Sequence, residues 1–156
     1  MMKSVQLTDL DRRILAALQQ DASLSQAELA ARVASSPASC WRRVRALEQA
    51  GVLGRAVRIV SPRAVGRGLD VFCQLRMKAH DTATRRAFEG FLTTLPEIVS
   101  IYSTSGEWDY LIHFVVTDMA EYESLLMHRV LAQDCVAQSS TTFAMKRIKS
   151  TTALPV

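Results

Sequence analysis

A chain of 156 residues has room for one ordinary domain or two small ones, either able to bury a core. With 49% hydrophobic and 22% charged residues, the composition is that of a globular protein and not of a disordered or fibrous one. No apolar run approaches the ~20 residues of a membrane span or the core of a signal peptide, so a cytoplasmic protein with no membrane partner is expected.

The net charge of +4 is unevenly placed. Residues 1–68 carry eleven Lys and Arg against five Asp and Glu, whereas residues 69–156 carry eight against ten. Such asymmetry predicts a polyanion-facing first half and a second half with other work. Cys40, Cys73 and Cys135 are odd in number and far apart, with no CxxC and no His at ligand spacing. Reduced, mostly buried thiols are expected, a redox-sensing thiol being the alternative.

Thr8 opens the first helix as an N-cap, and "DLDRRILAALQQ" sets Leu10, Ile14, Leu15 and Leu18 on one side from about residue 9 to 20. Asp9 and Asp11 occupy its favourable first turn. Ser25 with Glu28 three residues on is a capping-box pattern, starting a second short helix over 26–33 with Leu29, Ala30 and Val33 as its apolar stripe.

Ser36 followed by Pro37 is the expected cap and first position of a third helix, which Gly51 stops. On that helix Cys40, Val44 and Leu47 share one side, while Arg42 and Arg45 fall opposite; Trp41 is off to the flank and is expected to brace the core or the turn. A short helix, a tight turn and a capped helix with a basic outer face form a helix-turn-helix, whose second helix enters the major groove. Ser36, Ser39, Arg42, Arg43 and Arg45 suit contacts to phosphates and guanine edges; a merely solvated helix face is the competing reading.

Beyond Gly51, Val57 and Ile59 alternate with Arg58 up to Ser61-Pro62, a strand pattern, and Arg55, Arg58 and Arg63 extend the positive surface. The glycines of "RAVGRG" mark a linker. The expected domains are therefore 1–62, a helix-turn-helix with a following strand; 63–69, a linker; and 70–156, a second domain.

In that second domain "DVFCQLRMKA" alternates as a strand, with Val71, Cys73, Leu75 and Met77 on one face and Phe72 on the other. A helix through Phe88, Phe91 and Leu92 is stopped at Pro96, strands over 98–104 and 109–117 meet at Gly106, and "MAEYESLLMHRVLA" and "VAQSSTTFAMKRIKS" supply a last helix and strand. The order βαββαβ is the ferredoxin-like layout, an antiparallel sheet with both helices on one face, which makes the whole chain α+β. Apolar residues on both sides of the strands call for a partner subunit over the other face, hence a homodimer.

His80, His113 and His128 share no metal-binding or catalytic spacing, and no nucleotide-binding or nucleophile motif occurs, so neither a catalytic residue nor a metal is expected. The segment "STSGEWDY" joins small residues, Gly106, Glu107 and Asp109 at one turn. Exposed amides there would hold a carboxylate and a side-chain carboxylate an ammonium, as a small amino acid requires; a plain hairpin turn is the alternative.

The segments "LDRRILAALQQD", "LSQAELAARVASSP", "CWRRVRALEQAGVL", "SGEWDYLIHF" and "SSTTFAMKRIKSTTALP", in this order and spacing, make the chain resemble the Lrp/AsnC (leucine-responsive and asparagine-responsive) family of bacterial transcription regulators over nearly its whole length. The resemblance implies a winged-helix-like N-terminal domain with its DNA-binding helix pair over Leu29–Glu48, a hinge strand, and a ligand-responsive βαββαβ domain. It implies double-stranded DNA as a partner, a homodimer that assembles further to a tetramer or octamer, no cofactor, and an amino-acid effector held between subunits. The family's effector turn and facing last strand correspond to Thr104, Gly106, Glu107 and Asp109, with Ser139 and Thr141.

Two features qualify the likeness. Ala22-Ser23 stands where many members carry Gly-Arg, and "CWRR" and the closing segment look more like the cysteine- and branched-chain-responsive regulators. Two other functions fit the same pattern: an enzymatic or small-molecule-binding ferredoxin-like domain tethered to nucleic acid, and an assembly protein without an effector.

Overall fold

The computed structural model describes residues 6–156. In chain order the elements are α1 (Asp9–Gln20), α2 (Gln26–Arg32), α3 (Pro37–Gln49), β1 (Leu69–Met77), α4 (Thr82–Leu92), β2 (Ile98–Ser103), β3 (Tyr110–Val116), α5 (Met119–Leu125) and β4 (Val136–Phe143). They divide into two compact units. One is the helical unit, up to Arg58 together with Lys149–Val156; the other is the sheet unit, Ile59–Ile148.

In the helical unit every helix starts at a side-chain cap: Thr8, Ser25 and Ser36 each accept a hydrogen bond from a first-turn amide. The three apolar stripes meet in one core of Ile14, Leu15, Ala17, Leu29, Ala30, Val33, Cys40 and Leu47, all buried, with Val44 and Leu53 at its edge. Between α2 and α3 the chain reverses through Ala34, which adopts a left-handed φ of +50°. The closing segment returns to this unit, where the Leu154 amide donates to Gln19 at 2.6 Å and Gln19 donates back to the Leu154 carbonyl at 3.1 Å. The expected second domain, 70–156, includes this segment.

The expected strand before Pro62 is absent. Residues 54–61 form no ladder among the described residues, and Val57, Ile59 and Val60 lie exposed, Ile59 at 78%. Alternation describes how a strand's side chains would point, but the backbone also needs a neighbouring strand, and the chain offers none here. The expected linker holds a single 3-10 turn, Arg63–Val65, ended by Gly66 at φ +76°.

The sheet unit is antiparallel with strand order β2-β3-β1-β4, the ferredoxin-like arrangement. Val71, Cys73, Leu75 and Met77 of β1 and Tyr110, Ile112, Phe114 and Val116 of β3 face the helices, where Phe88 and Leu92 of α4 and Tyr122 and Leu125 of α5 complete the core. After α5 the chain makes one π-helical turn, Leu126–Val130. On the opposite face Phe72 stacks on His113 at 4.5 Å and is 37% exposed, with Tyr102 exposed on β2. His113 Nε2 lies 2.7 Å from Asp70 Oδ1, and Arg147 also pairs with Asp70. Burial raises the Asp70 pKa, yet Arg147 and His113 more than offset it and hold it below the ordinary carboxylate range.

Candidate functional site

The basic face of α3 is organised by a residue of α1. Asp11 is wholly buried, and its carboxylate accepts from Arg43 Nε at 2.7 Å and from Arg43 Nη2 at 2.5 Å. It also accepts from the Thr8 amide at 2.8 Å and hydroxyl at 2.7 Å, closing the first capping box. These bonds, the Arg43 fork foremost, hold the Asp11 carboxyl far below the usual range.

Arg43, expected among the DNA contacts, is anchored to α1 by these bonds. Its Nε and Nη2 donate to a buried carboxylate, which fixes α3 across α1. The flanking arginines are different: Arg42 and Arg45 are exposed and, with Trp41, Ala46 and Gln49, line a shallow concavity. Trp41 does not brace the core; it is 54% exposed, and the Arg45 guanidinium lies 5.8 Å from its ring centre. Arg45 also reaches Glu48 at 3.3 Å. Ser36 is exposed and its hydroxyl accepts from the Ser39 amide at 3.2 Å, while Ser39 itself is half-buried.

The second region is the turn between β2 and β3. Gly106 has φ +110°, a conformation side-chain-bearing residues avoid. The Thr104 hydroxyl donates to the Trp108 carbonyl at 2.5 Å, and the Thr104 amide to the Asp109 carbonyl at 2.9 Å. Asp109 continues the sheet with its side chain: Oδ2 accepts from the Met77 amide at 2.8 Å, beyond the last β1–β3 pair, and Oδ1 lies 2.9 Å from His80 Nε2.

Glu107 is the exposed acid of the turn. Arg76 of β1 donates through Nε to the Glu107 carbonyl and through Nη1 to Gln138 Oε1 of β4, each at 3.2 Å, and stands 3.5 Å from Glu107 Oε1. Its guanidinium carbon lies 6.0 Å from the Trp108 ring centre.

Ser139 and Thr141 pair with Leu75 and Cys73, so both belong to the helix-facing side of β4, and the Thr141 hydroxyl shares a 2.7 Å hydrogen bond with Tyr122. Burial drives the Tyr122 hydroxyl pKa well up. The strand's contact with the turn is made instead by Gln138, through Arg76. Neither residue stands out in the sequence, although the alternation of "VFCQLRM" sets Arg76 on the face opposite Val71 and Leu75. Among the described residues no group of three or more His, Cys, Asp or Glu is placed to hold a metal ion, and no helix is long and apolar enough to cross a membrane.

Comparison with known proteins matches a winged helix-turn-helix DNA-binding model to residues 7–53 and the Lrp/AsnC ligand binding domain to residues 70–154. The chain belongs to the Lrp/AsnC family of transcription regulators. It is 34% identical over 150 residues to the DNA-binding transcriptional activator DecR of Escherichia coli, covering 96% of this chain and 99% of that one. It is 35% identical over 153 residues to the glutamate uptake regulatory protein of Zymomonas mobilis, covering 96% and 91%. Among solved structures, a transcriptional regulator of Neisseria meningitidis in complex with L-Met superposes with a TM-score of 0.92 at 33% identity over 96% of this chain and 97% of that one. An AsnC family regulator of Agrobacterium tumefaciens gives 0.92 at 38% over the same shares. As a Lrp/AsnC regulator the chain thus joins a DNA-binding helical unit to a ligand-binding sheet unit.

Proposed function

We propose that this regulator reads DNA with the outer face of α3 and answers to a small amino acid held at the Gly106 turn. Ser36 and Ser39 at the α3 N-terminus contact phosphate, and Arg42 and Arg45 reach base edges or the backbone. The observation that carries this reading is the division of labour on α3, where one arginine is spent internally and its neighbours are left at the surface.

Thr104, Gly106, Glu107 and Asp109 form the effector side of the sheet unit, with Ser139 in the adjoining row of β4 and Thr141 supporting it through Tyr122. The L-Met complex of the Neisseria relative supports an amino acid as effector. The effector acts by binding two assembly or DNA-bound states with different affinity. A second copy of the chain covers the open sheet face, where Phe72 and Tyr102 are exposed, and further association of dimers gives the working oligomer.

The Arg42→Ala, Arg45→Ala double variant, assayed against a duplex selected from a random-sequence pool, is expected to lose tenfold or more in affinity, about 1.4 kcal/mol or above. Its log-log salt slope falls by about two if both arginines contact phosphate. Unchanged affinity and slope would overturn the assignment of α3 as the reading helix.

A further inference from the structure

We propose that the cavity where residues 61–68 meet residues 144–147 binds a phosphate group, held by Arg63, Arg67 and Lys146 with the Ser61 hydroxyl. It shares no residue with α3 or the Gly106 turn.

The cavity, about 190 Å³, is lined wholly by the sheet unit. Its two walls are far apart in the chain and are joined by the β1–β4 ladder. Val71 pairs with Phe143, and one step further the Ala144 amide donates to the Asp70 carbonyl at 3.0 Å, which starts residues 144–147 along one wall. On the other wall the 3-10 turn over Arg63–Val65 and the left-handed Gly66 return the chain on itself, so that the Arg67 amide donates to the Pro62 carbonyl at 2.8 Å and both arginines line the cavity.

The sheet unit is slightly acidic, with nine Lys and Arg against ten Asp and Glu over residues 59–148, yet four of those nine cations, Arg63, Arg67, Lys146 and Arg147, line this one cavity. Asp70 is the one acid of the lining, and it is already engaged by Arg147 and His113. Arg67 donates to the Val115 carbonyl at 3.3 Å and stands 3.4 Å from Glu121, which steadies its guanidinium and leaves further donors unused. Arg63 and Lys146 have no acidic partner among the described residues. Like charges gathered round one concavity repel, and an anion seated among them relieves that repulsion.

Cations from both walls suit a tetrahedral oxyanion, whereas a planar carboxylate is satisfied by a single guanidinium fork. The volume is that of about six waters, room for one or two phosphate groups. Such a group can come from a small phosphorylated metabolite or from the backbone of bound DNA, and the residues that capture it are the same.

The experiment uses full-length protein and the double variant Arg63→Ala, Lys146→Ala, which removes two exposed cations and should keep the fold, as circular dichroism verifies. Arg86→Ala, Arg129→Ala removes two exposed cations elsewhere in the same unit and serves as the control of equal charge. Inorganic phosphate and pyrophosphate are titrated by calorimetry at constant ionic strength, and a duplex selected from a random-sequence pool is titrated over a salt series. The unaltered protein is expected to bind pyrophosphate, the cavity variant to bind it about tenfold or more weakly, and the control to stay within about twofold.

If DNA is the source, pyrophosphate binds weakly, but the cavity variant lowers the log-log salt slope for the duplex by about two relative to the control. A cavity variant that matches the control in both pyrophosphate affinity and salt slope overturns the proposal. Equal losses in the two double variants would reduce the effect to net charge, and the cavity would again not be a site.

Discussion

The two sites are held by opposite means. On α3 the residue that sets the helix in place, Arg43, is not among those that face outward, although it lies next to Arg42 in the chain. At the Gly106 turn the groups that hold the structure and those that would meet a ligand are the same or adjacent: Asp109 closes the sheet edge, and Arg76 ties Glu107 to Gln138. A helix can separate support from display because its faces diverge by 100° per residue. A strand has only two faces, and at its end the two duties converge.

The sharpest test of that contrast is Arg43→Met beside Arg42→Ala. Removing Arg43 leaves the buried Asp11 carboxylate without its counter-charge and with only the Thr8 bonds, so the helical unit should lose about 3 kcal/mol and melt well below the unaltered protein. Arg42→Ala should stay within about 0.5 kcal/mol in the same thermal scan while losing DNA affinity. Equal stability of the two variants would erase the distinction.

Next in size is acid sensitivity. Because the Asp11 carboxyl is held below its unfolded value of 3.8, its stabilisation is complete above about pH 4 and is lost as pH falls further, when the unfolded chain takes up the proton first. Protection factors of the α1 and α3 amides, taken relative to intrinsic exchange at each pH, should fall steeply between about pH 5 and pH 2.5. In an Asp11→Asn, Arg43→Met double variant that fall should be smaller, although its starting stability is lower.

At the turn, Asp109→Ala strips the Met77 amide of its acceptor, at a cost of about 1–2 kcal/mol, and should speed exchange of that amide selectively. In contrast to Arg42→Ala, it should lower stability and effector affinity together. The smallest effect is expected from Ala34→Gly, which relieves the positive φ between α2 and α3 and should raise the melting temperature of the helical unit by a few degrees, a gain of at most about 1 kcal/mol, without touching the DNA face.

Much of this was legible in the residues because local chemistry set it. Thr8, Ser25 and Ser36 mark their helix starts by cap chemistry alone, and the alternation of Val71, Cys73, Leu75 and Met77 marks the buried face of β1. What was hidden depends on separation along the chain. Asp11 reads as a favourable first-turn charge until Arg43 arrives from α3, and the partnership of Arg76 with Gln138 needs the β1–β4 register, including its irregularity at Arg76 and Met77. Residues 54–61 misled for a related reason: their alternation is real, but a strand is a property of two segments.

Asp109 also bears on how this family diversifies. Since its carboxylate substitutes for a missing strand at the Met77 amide, selection for folding alone suffices to keep an aspartate there in a descendant that has abandoned its effector. An aspartate at this position is then a signature of the sheet's edge as much as of an effector. The position whose variation should track a change of effector is instead that of Glu107, the exposed acid of the same turn.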